Sequence, residues 1–327
     1  VVLMILVGAV FIMGPAKILA GITAESLTMN FWVWVIFVYY VLATLLPIDK
    51  IIGRVYPIFG FALLFMAVSL IIALVVKGYH IPELTLDNWK NFHYDAAKFP
   101  VFPMLFITIA CGAISGFHAT QSPLMARCVK NEKEGRKVFY GAMVIEGVVA
   151  LIWAAIGMSF FGGIRELNDA MVAHQGNAAW AVNEISVSLL GKFGAVLALL
   201  GVVAAPITSG DTAFRSARLI VADFLKVKQG PIINRLLITV PLFVAGYVLT
   251  LINFDIVWRY FAWANQTLAA VVLWTITVYQ VGNDKKYVLT LVPALFMTAV
   301  VSTYILLAPE GLSLSKTLSY TIGLAIT

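Results

Sequence analysis

The chain has 327 residues, of which 61% are hydrophobic and 12% are charged, and its mean hydropathy is +0.96. Soluble domains carry about a quarter charged residues, so this composition excludes an ordinary soluble globule and indicates a chain that contacts lipid. The net charge of +6 does not indicate nucleic-acid binding, because the basic residues cluster in short loops between apolar runs. The two cysteines, Cys111 and Cys128, are too few for a disulfide framework.

Apolar stretches long enough to cross a bilayer follow one another along the chain. A helix needs roughly 20 mostly apolar residues to cross the hydrocarbon core. Nine stretches meet this requirement or nearly meet it: 1–22, 30–48, 55–77, 101–119, 138–162, 187–209, 232–253, 256–281 and 287–308. Residues 312–327 resemble the start of a tenth. The sequence therefore predicts an all-α, polytopic transmembrane helix bundle that forms a single domain over residues 1–327.

Lys and Arg residues concentrate in every second connection between the predicted spans. The basic connections include 49–54, 127–137 and 211–235, whereas 78–100 and 163–186 contain more acidic than basic residues. Cytoplasmic loops of membrane proteins carry an excess of Lys and Arg. We therefore expect the first three segments to be cytoplasmic and the last two to face outward, with a short polar helix in 163–186.

A cluster of polar and helix-breaking residues interrupts the fourth predicted span. The stretch SGFHATQSP at 115–123 follows apolar sequence, and it contains Gly116, which gives backbone freedom, and Pro123, which removes a hydrogen-bond donor. We predict that the helix breaks within the membrane between Ser115 and Pro123, because such breaks form substrate and ion sites in secondary transporters. The alternative is that the span ends near Ser115 and continues as a cytoplasmic loop.

Four side chains of this cluster are candidate substrate ligands: His118, Thr120, Gln121 and Ser122. Their hydroxyl, amide and imidazole groups offer hydrogen-bond donors. We expect the cytoplasmic half-helix to start near Thr120 to Ser122, where free N–H groups and the positive end of a helix dipole favour a bound carboxylate.

The sixth predicted span ends in a second polar group. Thr208 and Ser209 offer hydroxyl oxygens for Na⁺, and Asp211 offers a carboxylate that can ligate a cation or carry a proton. The alternative is an ordinary helix end capped by Gly210, with Asp211 capping an amphipathic helix over 211–228. We expect that basic, amphipathic stretch to lie along the cytoplasmic surface of the membrane.

Three further polar residues lie inside predicted spans. Glu146, in span five, is a candidate proton carrier, or alternatively the partner of a polar group on a neighbouring helix. Asn265 and Gln266, in span eight, are expected to make interhelical hydrogen bonds. The sequence contains no phosphate loop, H-E-x-x-H or C-x-x-C motif, which disfavours an ATP-driven pump and an intramembrane zinc protease. We therefore expect no metal or cofactor, with H⁺ or Na⁺ as the coupling ion.

The sequence resembles one known family along essentially the whole chain. Three segments carry the resemblance: SGFHATQSPLMARCVKNEKEGRKVFYGAMVIEG (115–147), APITSGDTAFRSARLIVAD (205–223) and FAWANQTLAAVVLW (261–274). They are similar to the carbon starvation protein A family of bacterial inner-membrane proteins. Members of that family begin with further spans that are absent here, and this chain begins and ends inside apolar runs. We therefore expect it to be a fragment of a larger protein.

The resemblance implies a multi-pass protein of the bacterial inner membrane that acts as a secondary transporter and not as an enzyme. The family is similar to the amino acid–polyamine–cation superfamily, whose leucine-transporter-like fold contains two inverted five-helix repeats. On that fold, residues 1–77 end the first repeat, 101–281 form the second repeat, and 287–327 are extra C-terminal spans. Span four would be a broken helix, and span six would offer the hydroxyls of Thr208 and Ser209 to a cation.

The expected function is the proton-coupled import of a small carboxylate, pyruvate. Uptake of di- or tripeptides and coupling to Na⁺ are variants of the same class. A polar channel is an alternative from a different class, but it would place polar residues along several straight helices rather than at helix breaks. The expected partners are a small-molecule substrate and the lipid bilayer, without nucleic acid, and the sequence does not indicate protein partners.

Overall fold

The computed structural model describes residues 1–23, 27–45, 49–83, 85–86, 90–93, 95–174, 176 and 178–327. Parts of the predicted span 30–48 and of the predicted outer segments 78–100 and 163–186 lie outside these residues.

Within this part of the chain the structure is helical and contains no strand. The α-helices are α1 (Val2–Ile22), α2 (Met29–Leu45), α3 (Asp49–Val76), α4 (Val101–Ala113), α5 (Gly116–Cys128), α6 (Ala142–Phe160), α7 (Ile164–Ala173), α8 (Ala178–Ala198), α9 (Ala204–Phe224), α10 (Ile232–Thr250), α11 (Phe254–Val281), α12 (Val288–Leu307) and α13 (Lys316–Ala325). Two π-helical segments, Arg136–Gly141 and Leu199–Val203, precede α6 and α9.

The apolar helices follow the predicted spans in order. Seven helices among the described residues are long and apolar enough to cross a membrane, and Met29–Ala43 and Val101–Ala110 are shorter apolar helices. The predicted all-α, multi-spanning architecture is therefore confirmed. The short polar helix predicted in 163–186 is also present, as α7.

The position of the sixth predicted span is wrong. We expected 187–209, but the apolar helix begins at Trp180 and is kinked at Gly191 (φ 62°, ψ −148°). After the kink the chain continues through a π-helical segment into α9 without ending at Gly210. Pro206 lies in the first turn of α9, directly after the π-helical segment Leu199–Val203. The hydrogen-bond pattern is already irregular at such a segment, so a residue without an N–H is accommodated there.

The predicted surface location of 211–228 is also wrong for most of that stretch. Several α9 side chains are buried: Asp211, Ala213, Phe214, Ser216, Ala217 and Ala222. The helix packs against α1 and α10, and the ring of Phe214 lies against Gly8 and Gly246, where no Cβ keeps the helices apart. The basic residues of this stretch therefore accompany a buried helix rather than a helix lying on a membrane surface.

The chain divides into two compact units. Unit one consists of Val1–Tyr94 and Val148–Phe254, and unit two of Asp95–Gly147 and Asp255–Thr327. A core cluster in unit one contains Met66, Leu70, Leu74, Ile156, Ile185, Leu189, Leu197 and Ala198. One in unit two contains Ile107, Ala110, Ala270, Met297, Val300, Val301, Tyr304 and Ala308.

Large apolar side chains remain exposed on the helices of both units. Phe61 is 69% exposed, Leu151 71% and Val278 69%. Contiguous apolar surface is costly in water but not in the hydrocarbon of a bilayer. The helix faces thus carry the surface expected of a membrane protein.

Candidate functional site

The fourth predicted span consists of two helices joined by two extended residues. The first helix, α4, ends at Ala113, and α5 begins at Gly116. Between them Ile114 (φ −139°, ψ 101°) and Ser115 (φ −122°, ψ 126°) have extended backbone angles. The predicted interruption is therefore present at the start of the expected stretch, at Ile114–Ser115.

The rest of the polar stretch is helical, which corrects two expectations. Pro123 lies inside α5 and does not end it. The alternative of a loop after Ser115 is wrong in its conformation, because residues 116–128 form a helix of 13 residues. The location of the break at membrane depth remains a prediction.

Asn265 on α11 holds the N-terminal end of α5. Its Oδ1 accepts the backbone N–H of Phe117 at 2.7 Å and the hydroxyl of Ser115 at 3.2 Å. Gly116 between them packs on the α11 backbone, where an added Cβ would meet the Asn265 carbonyl and would lie 2.7 Å from the Leu268 Cβ. Asn265 is fully buried, so its side chain acts as a helix cap supplied by a neighbouring helix.

His118 and Glu146 lie together in unit two. The Nε2 atom of the imidazole is 3.4 Å from Oε2 of the carboxylate, and the two side chains are 36% and 44% exposed. The other ring nitrogen, Nδ1, is buried and has no hydrogen-bond partner among the described residues. The structure thus brings a predicted substrate ligand next to a predicted proton carrier.

The other three candidates on α5 make local contacts. The hydroxyl of Thr120 donates to the carbonyl of Phe117 at 2.7 Å, and that of Ser122 donates to the carbonyl of His118 at 2.8 Å. The amide of Gln121 donates to the Thr120 hydroxyl at 3.2 Å. The positive end of the helix lies at Gly116 to His118, one turn before the expected position. In this structure the two hydroxyls therefore offer oxygen lone pairs, since their hydrogens are directed at backbone carbonyls.

The second predicted group lies on α9 in unit one. The hydroxyls of Thr208 and Ser209 donate to the carbonyl of Ala205 at 2.7 and 3.2 Å. Asp211 is 3% exposed, and its Oδ2 lies 3.0 Å from Nη2 of Arg215. Gly210 and Asp211 are in the middle of α9, so neither caps a helix end. Gln266, predicted with Asn265, is fully buried.

Sequence reasoning missed a buried carboxylate in unit two. Glu310 follows α12, and its Oε2 lies 3.2 Å from Nη1 of Arg259 on α11. Its Oε1 accepts the hydroxyl of Tyr304, and its carbonyl accepts that of Tyr260. The guanidinium of Arg259 lies over the ring of Phe99. Nothing in the sequence links Arg259 to Glu310, which lies 51 residues further along the chain, and only the folded structure shows that they pair.

No group of three or more His, Cys, Asp or Glu side chains able to hold a metal ion occurs in the part of the chain that the structure describes.

The fold defines a multi-pass α-helical membrane protein in which the fourth predicted span is interrupted at Ile114–Ser115. The family model described as carbon starvation protein CstA matches residues 1–189, more than half of the chain. The chain therefore belongs to the carbon starvation protein CstA family. No solved structure matches it at a significant level.

Several relatives of known sequence match the chain. An uncharacterized membrane protein of Haemophilus influenzae is 40% identical over 53% of this chain and 59% of the relative. The pyruvate/proton symporter BtsT of Escherichia coli is 35% identical over 35% of this chain and 16% of the relative. The peptide transporter CstA of Bacillus subtilis is 25% identical over 73% of this chain and 48% of the relative. The chain thus spans about half the length of the first and third relatives.

Proposed function

We propose that this protein is a secondary active transporter that imports a small carboxylate, pyruvate, across the bacterial inner membrane together with H⁺. The observation that carries the proposal is the break at Ile114–Ser115 between two helices of an apolar span, with the start of α5 held by Asn265. Helix ends of this kind form the substrate and ion sites of secondary transporters. Two relatives that are named as transporters, BtsT of Escherichia coli and CstA of Bacillus subtilis, support the same class.

The chemistry of α5 favours a small anion as substrate. The N-terminal turn at Gly116 to His118 presents the positive end of the helix dipole. The imidazole of His118 adds a group that can donate a hydrogen bond to a carboxylate. Pyruvate and a peptide both carry a carboxylate, so uptake of di- or tripeptides is the variant suggested by the relatives named peptide transporter.

A leucine-transporter-like fold accommodates the helix break. On that fold, α4 and α5 are the broken first helix of the second repeat, which covers residues 101–281. Residues 1–77 form the end of the first repeat, and residues 287–327 form extra C-terminal spans. The partners are then the substrate and the lipid bilayer, and no nucleic acid is involved.

Coupling to Na⁺ is the variant favoured by the hydroxyls of α9. Thr208 lies one turn before the buried carboxylate of Asp211, and Ser209 lies two residues before it. Hydroxyl and carboxylate oxygens ligate hard cations. A channel is less well supported, because the relatives with a named function are a symporter and a peptide transporter.

Counterflow in proteoliposomes tests the function directly. Proteoliposomes that contain the full-length protein and are loaded with unlabelled pyruvate should accumulate labelled pyruvate transiently without any ion gradient. This is expected because one binding site is exposed alternately to the two sides of the membrane. An inward pH gradient at fixed Na⁺ should then drive net accumulation.

Experiments with other substrates and other ion gradients give the results that would contradict the proposed function. Counterflow with a dipeptide but not with pyruvate would move the assignment to peptide uptake. Accumulation that follows a Na⁺ gradient at fixed pH, and that is lost in Thr208→Val with Ser209→Ala, would replace H⁺ by Na⁺. Flux without counterflow would indicate a channel.

A further inference from the structure

We propose that His118 and Glu146 together form the one-proton site that couples uptake to the proton gradient, an inference that rests on the transport function proposed above. The imidazole belongs to α5 and the carboxylate to α6, with Nε2 3.4 Å from Oε2. His118 lies in the first turn of α5, directly after the helix break. A proton held by this pair is therefore next to the segment where the substrate carboxylate is proposed to bind.

Glu146 differs from the other carboxylates that are paired within the helical bundle. Asp211 pairs with Arg215 at 3.0 Å, and Glu310 pairs with Arg259 at 3.2 Å. A guanidinium stays charged under all physiological conditions, so these two carboxylates would give up a favourable ion pair each time they bound a proton. Glu146 faces an imidazole, the side chain that changes charge most readily near neutral pH.

The net charge at the site depends mainly on the imidazole of His118 and the carboxylate of Glu146 themselves. Among the described residues, neither side chain forms a second ion pair. The helices α4 and α12 carry no charged residue, and on α5 the next charge is Arg127, nine residues beyond His118. Before α6, Arg136 and Lys137 lie ten and nine residues ahead of Glu146, and Lys137 pairs with Glu134. On α11 the charged residues are Asp255 and Arg259 near its N-terminal end, and Arg259 pairs with Glu310. One proton therefore changes the pair from a net charge of −1 to neutral.

The second ring nitrogen links this proton to the substrate. A protonated imidazole donates from both nitrogens, but Nδ1 of His118 is buried and without an acceptor in the described part of the chain. Protonation thus creates a buried donor that needs an acceptor, and the carboxylate of an incoming substrate supplies one with the opposite charge. Because Nδ1 is buried, the acceptor reaches it only when the segment around the break moves.

Binding of the proton and binding of the substrate anion then strengthen each other. If the bound anion increases the affinity for the proton, the bound proton increases the affinity for the anion by the same factor. Water outside supplies one proton to the pair, and the proton returns to water inside after the substrate leaves, so only N–H and O–H bonds form and break. One proton moving with one monocarboxylate carries no net charge, so the membrane potential should not drive uptake.

The test uses full-length protein in proteoliposomes with conservative variants. Glu146→Gln and His118→Gln keep a side chain that can form hydrogen bonds but cannot exchange a proton near neutral pH. Glu134→Gln makes the same chemical change at an exposed carboxylate paired with Lys137 and serves as the matched control. The measurements are accumulation of labelled pyruvate under a pH gradient at zero membrane potential, pyruvate counterflow without a gradient, and proton uptake reported by an internal dye.

Both coupling variants should lose concentrative uptake, so that internal pyruvate only equals external pyruvate, and should lose substrate-induced proton uptake. Counterflow should continue in them at a reduced rate, which shows that they are folded, and Glu134→Gln should behave as wild type. Concentrative, proton-linked uptake by both variants would overturn the proton site while leaving the transport function intact. So would a loss of proton coupling in Asp211→Asn but not in Glu146→Gln. Absence of counterflow in the wild type, with pyruvate and with a dipeptide, would overturn the transport function and the proton site together.

Discussion

The side chain of Asn265 is the point at which α11 fixes the break between α4 and α5. Its oxygen accepts from Phe117 and Ser115, and it is fully buried. Asn265→Leu preserves approximate volume but leaves two donors without an acceptor, each costing about 1–3 kcal/mol when buried. We expect the thermal unfolding midpoint of the purified protein to fall by several degrees.

Asn265→Asp provides the rescue, because a carboxylate oxygen accepts the same two hydrogen bonds at the positive end of α5. The aspartate variant should have a higher thermal unfolding midpoint than the leucine variant, and a lower KM for the substrate. Asn283→Leu is the control, since Asn283 lies in the turn just after α11, is exposed, and its side-chain amide donates to the carbonyl of Tyr279 at 2.8 Å. Equal stability of Asn265→Leu and wild type would contradict the capping role.

Among the elements, α5 and α11 approach so closely that only a glycine fits between them. A Cβ at Gly116 would meet the Asn265 carbonyl and lie 3.1 Å from the backbone nitrogen of Ala269. Backbone atoms of a packed helix cannot give way as a flexible side chain does, so we expect Gly116→Ala to destabilise the protein by about 1–3 kcal/mol. Thermal unfolding in detergent measures the loss, and substrate uptake should fall with it.

A glycine on the other side of the break provides the comparison. A Cβ at Gly112 in α4 would find no atom within 4 Å, and alanine has a higher helix propensity than glycine. Gly112→Ala should therefore be neutral or slightly stabilising. Equal effects of the two substitutions would show that the close packing of α5 on α11 does not determine stability here.

The helices themselves could be predicted from apolar runs, but the helix ends near polar residues could not. Pro123 suggested an interruption and Gly210 a helix end, and both lie inside helices. Local propensities favour a break at such residues, whereas burial stabilises the continuing helix. For α9, that burial comes from Phe214 against Gly8 and Gly246, which are far apart in the sequence.

The candidate residues of the site were predictable by type, but their pairing was not. A histidine and a glutamate inside apolar spans are unusual enough to mark His118 and Glu146, yet nothing in the sequence places them 3.4 Å apart. For Thr120 and Ser122, the prediction of hydroxyl donors overlooked the nearby helix carbonyls that accept these hydrogens. The pairing of Glu310 with Arg259 likewise depends on helix packing.

At the scale of the whole molecule, helix lengths restrict how the chain can cross the bilayer. The helices α4 and α5 span 13 residues each, including the non-helical Phe102 near the start of α4. A rise of 1.5 Å per helical residue makes each at most about 20 Å long. The hydrocarbon core is about 30 Å thick, so neither helix crosses it alone. Together they are long enough, and the break would then lie inside the core, as the proposed substrate site requires.

Accessibility labelling of the two segments that flank α4 and α5 tests this arrangement. Lys90 belongs to the predicted outer segment 78–100 and Lys133 to the predicted cytoplasmic segment 127–137, and both are exposed. In a background with Cys111 and Cys128 replaced by serine, a membrane-impermeant maleimide should modify Lys90→Cys in intact cells. It should modify Lys133→Cys only in inverted vesicles, because the excess of Lys and Arg keeps that segment inside. Labelling of both positions from one side would mean that α4 and α5 enter and leave the membrane on the same side. The break would then mark a re-entrant pair of helices, and the predicted orientation would be wrong.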